Sequence, residues 1–322
     1  MSLTGHDPTR SVAENYREFS RLEARGRSRP YEILAAEVAD DPSLLDFLAF
    51  LPPAKRQPNL LFAAARYLLG RPADIASLRA LVADRGPELA SVICARRTQT
   101  NEPARCASLL PALMLLPQPL ALLEVGASAG LTLMPDRYSY DYAGHRITGT
   151  DPRAPVLRCE PSGPVPLPDR VPAVRWRAGL DLNPLDVTDD ADMHWLGCLL
   201  WPGERGRGQR LAGAVAAARR DPPAVHRGDL LTDLPALARQ APSGATLVIY
   251  HSAVMGYLSA AERGRFAEIV GGLDAVWLSN EPAVPLDAAE PSVGDSAFQI
   301  ARDGHTPLAL TDPHGTWLRW LA

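Results

Sequence analysis

Lysine is almost missing from this chain of 322 residues: of its 33 basic residues, 32 are arginine and Lys55 is the exception. Alanine, proline and leucine abound instead, a bias of GC-rich coding that removes diagnostic weight from any single arginine. Cysteine is scarce too. Cys94, Cys106, Cys159 and Cys198 have no C-x-x-C spacing and no close histidine, which excludes the usual zinc ligand sets and a disulfide framework. They read as reduced core residues. No run of about 18 uninterrupted apolar residues is present, and the opening MSLTGHDPTR has neither a basic flank nor an apolar stretch. The expectation is a cytoplasmic protein without a membrane span. An excess of one charge sign is lacking as well: 33 basic against 37 acidic residues give a net charge of −4, which argues against capture of nucleic acid or an anionic membrane.

Residues 1–116 carry the marks of successive helices, because proline recurs ahead of apolar periodic runs at Pro30, Pro42, Pro58, Pro72, Pro87 and Pro103. Asp41 and Glu102 put acid at the positive end of two of them. NLLFAAARYLLG stops at Gly70 in the manner of a helix C-terminus. From Leu120 the texture changes to short apolar runs between turns, the mark of buried strands in a largely parallel sheet. The candidates are LALLEV, YSYDY, PAVHRGD, ATLVIYH and DAVWLSNE, with helical stretches between several of them. SAFQIARDG and TPLALTDPHGTWLRWL predict an antiparallel hairpin at one sheet edge. The expected organisation is a helical region over 1–116 and a Rossmann-like α/β domain over 117–322. An irregular insertion at about 144–205 is the natural place for substrate contacts or a lid.

The stretch LALLEVGASAGLTL, residues 120–133, admits two chemistries. Gly126-Ala127-Ser128-Ala129-Gly130 has the G-x-S-x-G spacing of a serine hydrolase nucleophile elbow, and Asp229 and His251 follow Ser128 in triad order. Alternatively, Glu124 and a glycine-rich turn after a first strand open a nucleotide-binding unit, with the carboxylate beside the crevice at the strand end. The surroundings favour the second reading. A hydrolase places several strands and an oxyanion loop ahead of its elbow, whereas everything before Leu120 reads as helix.

The segment E-V-G-A-S-A-G resembles the first motif of class I S-adenosylmethionine-dependent methyltransferases, an acid followed by G-x-G-x-G, with Ser128 in place of the middle glycine. That resemblance implies S-adenosylmethionine as cofactor, held across Glu124, Gly126, Ser128 and Gly130. It also implies an acid for the ribose hydroxyls at the end of the second strand, where Asp141 of YSYDY stands 17 residues after Glu124, and Asp229 near the adenine edge. An upstream segment covers the methionine end in such enzymes, a part that suits Asn101, Glu102 and Arg105. A second likeness covers most of the chain. The blocks TQTNEPARCASLLPAL, LLEVGASAGLTLMPDRYSYDY, HWLGCLLWP and VIYHSAVMGYL look like a bacterial family known as domain of unknown function 2332, and that likeness implies no activity.

His251 closes a strand candidate, and its unperturbed pKa of about 6.5 suits a general base for methyl transfer. Glu281 ends the next candidate and, with Glu102, would orient the acceptor. Each has a plainer reading: His251 as a packed core residue, Glu281 as an ion-pair partner, Asn101 or Glu102 as a helix cap. Trp195, Trp201 and Pro202 read as packing, Asp181 and Asp186 as turn formers. No metal set is expected. The expected activity is methyl transfer to a small-molecule oxygen or nitrogen, with a Ser128 hydrolase and a non-catalytic methyltransferase-like binding module as alternatives.

Overall fold

The computed structural model describes residues 10–204, 206–283 and 297–321. Two compact units emerge, residues 1–100 with 191–208 and residues 101–190 with 209–322. The first unit is helical. Pro30, Pro42 and Pro58 stand in the first turns of Arg29–Ala39, Pro42–Ala49 and Pro58–Leu69, where the missing N–H has no intrahelical partner to lose. Asp41 caps its helix by accepting the Leu44 N–H at 3.0 Å. Gly70 closes Pro58–Leu69 with φ 70°, a left-handed conformation that costs glycine little. Three prolines act otherwise. Pro72 lies ahead of Asp74, the cap of Ile75–Ala95, Pro87 lies inside that helix, whose dihedrals break at Arg85, and the helix after Pro103 begins only at Arg105.

The apolar faces of this unit meet around Phe62, whose ring lies 6.0, 6.1 and 4.8 Å from those of Tyr16, Phe19 and Tyr31. Burial of each such ring stabilises by roughly 2–3 kcal/mol. Trp195 and Cys198 complete the same core, so part of the expected insertion belongs with the helices. Cys94 corrects another expectation, since it is exposed while the other three cysteines are buried.

The second unit is built on strands β1 (Leu120–Val125), β2 (Ser139–Tyr142), β3 (His145–Ile147), β4 (Val156–Arg158), β5 (Glu160–Ser162) and β6 (Val174–Asp181). They are followed by β7 (Val225–Arg227), β8 (Thr246–Ser252), β9 (Val276–Pro282), β10 (Phe298–Arg302), β11 (Thr306–Thr311) and β12 (Trp317–Trp320). Nine form one sheet in the order β5-β12-β11-β10-β9-β8-β1-β6-β7. The run from β9 to β7 is parallel, β10 to β12 alternate in direction, and β5 lies parallel to β12. This is an α/β architecture with a large, mostly parallel sheet, compatible with a Rossmann-like fold. All six residues of β1 are buried, as a central parallel strand covered on both faces requires.

Two expectations about the sheet need correction. YSYDY is not its second strand: β2 sits in a separate three-stranded sheet, β3-β2-β4. After the glycine loop the chain makes only a single 3₁₀ turn, Leu131–Leu133. Tyr138, Tyr140 and Tyr142 then anchor their hydroxyls on the carbonyls of Leu131, Pro135 and Ala107 at 2.7, 2.5 and 2.6 Å. The place beside β1 goes to β6, VRWRAGLD, from within the expected insertion. Trp176, Ala178 and Leu180 alternate onto the core face, while Arg177 on the other face forks both oxygens of Asp136 at 2.9 Å. Nor does the hairpin end the sheet. TPLALTDPHGTWLRWL divides into β11 and β12, and β5 pairs beyond them.

Gly130, at φ 70°, marks where β7 packs against the first loop. A Cβ there would lie 2.7 Å from Pro223 Cγ and 2.9 Å from Val225 Cγ2. Gly130→Ala combines left-handed strain with overpacking against a rigid ring and is expected to cost about 2–4 kcal/mol. Urea unfolding measures it, and an unchanged midpoint refutes the packing account.

Candidate functional site at the carboxyl edge of the sheet

The loop after β1 turns through three residues with positive φ, Gly126 (70°), Ser128 (53°) and Gly130 (70°). Its amides are taken by the protein itself. Gly126 N and Ala127 N donate to Leu180 O at 2.8 and 3.4 Å, and Gly130 N donates to Ala127 O at 2.7 Å. Ser128 N donates to Asp181 Oδ2 at 2.8 Å, and Leu131 N to Asn101 Oδ1 at 2.8 Å. The Asn101 side chain therefore caps the glycine loop rather than its own helix.

Asp181, read from the sequence only as a turn former, stands at this edge of the sheet. It ends β6, the strand parallel to β1, and Gly228 N on the β7 side donates to its backbone carbonyl at 3.0 Å. Asp229 follows there, accepting the Leu231 N–H at 2.8 Å in a tight turn. Asp141 is corrected accordingly. It lies in the small sheet, where its Oδ1 accepts the Gly144 N–H at 2.8 Å, and it does not end the second strand of the main sheet. The signal for Asp181 was the alternation of VRWRAGLD, masked by its arginines.

Glu124 belongs to the same layer, since its parallel partner Gly179 stands two residues before Asp181. Oε1 accepts the Thr132 hydroxyl at 2.5 Å, and Oε2 is buried with no hydrogen-bond partner among the described residues. The Ser128 hydroxyl is in the same condition. Burial raises the Glu124 carboxyl from 4.5 to about 8; the Thr132 bond and the Arg105 charge oppose the shift, and Asp181 adds to it. Arg105 is itself buried, its Nε on Pro313 O at 2.9 Å and its Nη1 on Ser252 O at 3.3 Å. Glu102 is buried, ion-paired with Arg210 at 3.2 Å, and also accepts the Ala104 N–H at 3.2 Å. These contacts tie Glu102 to Arg210 and to the approach to Arg105–Met114, a helix without a side-chain cap.

His251, expected as the general base, lies inside the core with both ring nitrogens bonded. The ring has no exposed surface, and both its nitrogens are engaged: Trp277 Nε1 donates to Nε2 at 3.0 Å, and Nδ1 meets Glu281 Oε1 at 2.7 Å. An indole nitrogen only donates, so Nε2 accepts and the proton rests on Nδ1. The ring also packs edge-on to Phe266, with centroids 5.5 Å apart. Glu281 is the end of this chain of contacts. Its Oε1 takes a second bond from Val254 N at 2.8 Å, and its Oε2 is buried without a partner among the described residues. The structure does not bring Ser128, Asp229 and His251 together as a hydrogen-bonded triad: the Ser128 hydroxyl has no hydrogen-bonded base among the described residues, and His251 Nδ1 meets Glu281. No group of three or more His, Cys, Asp or Glu suited to a metal occurs among the described residues.

Glu124 sets a pH dependence. With a folded value near 8 against 4.5 unfolded, the native state holds the extra proton between those limits. Stability contributed by the neutral carboxyl is complete below about pH 4.5 and declines as pH rises towards 8. Glu124→Gln should remove that decline, so the variant gains on the parent by a few kcal/mol in order of magnitude at pH 8 compared with pH 5. Denaturant midpoints at the two pH values measure this, and parallel changes in both proteins refute a buried neutral Glu124.

Among the described residues no helix is long and apolar enough to cross a membrane. No curated protein and no solved structure matches the chain significantly. One family model does, over residues 13–320. The chain belongs to the family described as "Uncharacterized protein conserved in bacteria (DUF2332)".

Proposed function

We propose that this protein is an S-adenosylmethionine-dependent methyltransferase acting on a small-molecule acceptor. The observation that carries the reading is the state of the glycine loop: the N–H groups of residues 126, 127, 128, 130 and 131 already have protein acceptors, one of them the Asp181 carboxylate. A phosphate cradle keeps such groups open for an anion. Here acids flank the loop instead. The Asp181 carboxylate suits hydroxyl donors of a ribose and repels a nucleotide's phosphates, and the protonated Glu124 beside it adds no positive charge to hold them. The Ser128 hydroxyl and Glu124 Oε2, without partners among the described residues, are the polar atoms that a bound nucleoside would satisfy, since a buried polar atom left bare costs about 1–3 kcal/mol.

When bound, the cofactor supplies a sulfonium methyl group. The chain's part is to hold the nucleoside through Asp181 and the loop, with Asp229 beside it, and to keep Asn101 packed on Leu131 so the loop keeps its shape. Alignment of donor and acceptor in a dry pocket provides most of the acceleration in such an in-line displacement.

Titration calorimetry with S-adenosylhomocysteine tests this directly. Binding is expected, and Asp181→Asn should weaken it at least about tenfold through the lost charged acceptor, whereas Asp141→Asn should leave it unchanged. Absence of heat at millimolar ligand ends the proposal. Equal weakening by both substitutions would show that Asp181 has no special part.

A further inference from the structure

Three strand ends converge on one small group of atoms. At Gly126 a Cβ would lie only 2.4 Å from Val254 Cγ2, so the loop after β1 and the segment after β8 are in contact. The backbone N–H of the same Val254 donates at 2.8 Å to Oε1 of Glu281, the last residue but one of β9. Glu281 is therefore tied through one residue to the glycine loop. Its Oε1 is saturated by Val254 N and His251 Nδ1, while its Oε2 is buried and bonded to nothing among the described residues. Behind it, Trp277 fixes the histidine tautomer by donating to Nε2. A carboxylate held by two donors on one oxygen cannot rotate freely, and the other oxygen keeps one direction.

The geometry points to Glu281 as the group that takes the proton of the methyl acceptor, with His251 and Trp277 as positioning residues that aim its Oε2. The inference rests on the methyl-donor reading above. In the step, the methyl carbon–sulfur bond breaks with its electron pair passing to sulfur, and a carbon–oxygen or carbon–nitrogen bond forms to the acceptor. The acceptor's O–H or N–H proton passes to Glu281 Oε2, which leaves a neutral thioether and a protonated carboxyl. The acceptor class follows: a hydroxyl or amine carrying a removable proton. A carboxylate or phosphate oxygen has no proton to give and meets like charge at this position.

Two ligands separate this assignment from the reading beneath it: S-adenosylhomocysteine and sinefungin, the analogue with an amine-bearing carbon in place of the sulfonium. The amine reports whatever faces the transferred methyl. The wild-type chain should prefer sinefungin by at least about tenfold, an ion pair with a desolvated carboxylate being the source. Glu281→Gln should bring the two affinities within about threefold while leaving that for S-adenosylhomocysteine unchanged. Trp277→Phe, which keeps the ring and removes the donor, should reduce the preference several-fold. Nitrogen-15 NMR of the wild-type histidines should show His251 with its proton on Nδ1, and a proton on Nε2 overturns the positioning role even if the glutamate variant does not fold. Retention of the full preference in folded Glu281→Gln overturns the assignment of Glu281 alone. Failure of both ligands to bind the wild-type chain overturns the methyl-donor reading and this assignment with it.

Discussion

Between Val125 and Leu131 the backbone passes through three left-handed residues, and the amides it turns inward must find acceptors within the protein. A non-glycine residue in that region costs about 1–2 kcal/mol, and Ser128 is one. The compensation comes from Asp181, whose carboxylate takes the Ser128 N–H in a charge-assisted bond contributing about 1.5–3 kcal/mol. For that bond to exist, β6 must run beside β1 with its last residue level with the loop. Gly179 lets it come close enough, since a Cβ there would stand 2.6 Å from Ala127 Cβ. Leu185 N then returns to Ser128 O at 3.1 Å, closing the far side. The position of β6 and the shape of the loop are thus one constraint seen from two strands.

The same edge distributes its polar groups by face. Leu123 and Val125 pack in one core with Ala178, Leu180 and Ile249, so Glu124, between them, faces the other way. His251, two residues past Ile249, lies on the core side with Phe266 and Trp277. A buried neutral-leaning Glu124 and a buried Arg105 occupy one side. A hydrogen-bonded indole, imidazole and carboxylate occupy the other. Asn280 joins the neighbouring strands, donating to Ser252 Oγ at 3.0 Å and accepting from Thr311 Oγ1 at 3.1 Å. Buried polar networks of this kind are stable only when their members are satisfied, which makes the few unsatisfied oxygens at the edge informative.

How much of this could be read from the residues alone varied with the kind of signal. β1, β8 and β9 are continuous apolar runs ending in polar residues, and LALLEV, ATLVIYH and DAVWLSNE show that directly. β6 was hidden because a strand with arginine on one face and tryptophan, alanine and leucine on the other has no apolar run to notice. With β6 unnoticed, the acid at the end of the strand beside β1 was sought at Asp141, because three tyrosines give YSYDY the look of a strand of the main sheet, whereas it pairs only with β3 and β4. His251 was placed at the right strand end, but its burial and its two bonds were not visible in the sequence. Spacing cannot tell whether an imidazole looks outward or is clamped by an indole donated from an adjacent strand. The clamp depends on the pairing of His251 with Ser279, which brings Trp277 alongside, and that pairing is a property of the assembled sheet.

The two ends of the nine-stranded sheet carry a consequence for the life of the protein in a crowded solution. An outermost strand offers a row of bare amides and carbonyls to any passing chain, and long flat ones template aggregation. Here both outermost strands, β5 and β7, are three residues long. β5 reads Glu-Pro-Ser, so its middle residue has no N–H to offer and its first carries charge. β7 ends in His226 and Arg227, both exposed. The longest and most apolar strands lie well inside these blunt margins, so a sheet wide enough to invite self-association closes with edges that give a second copy almost nothing to pair with.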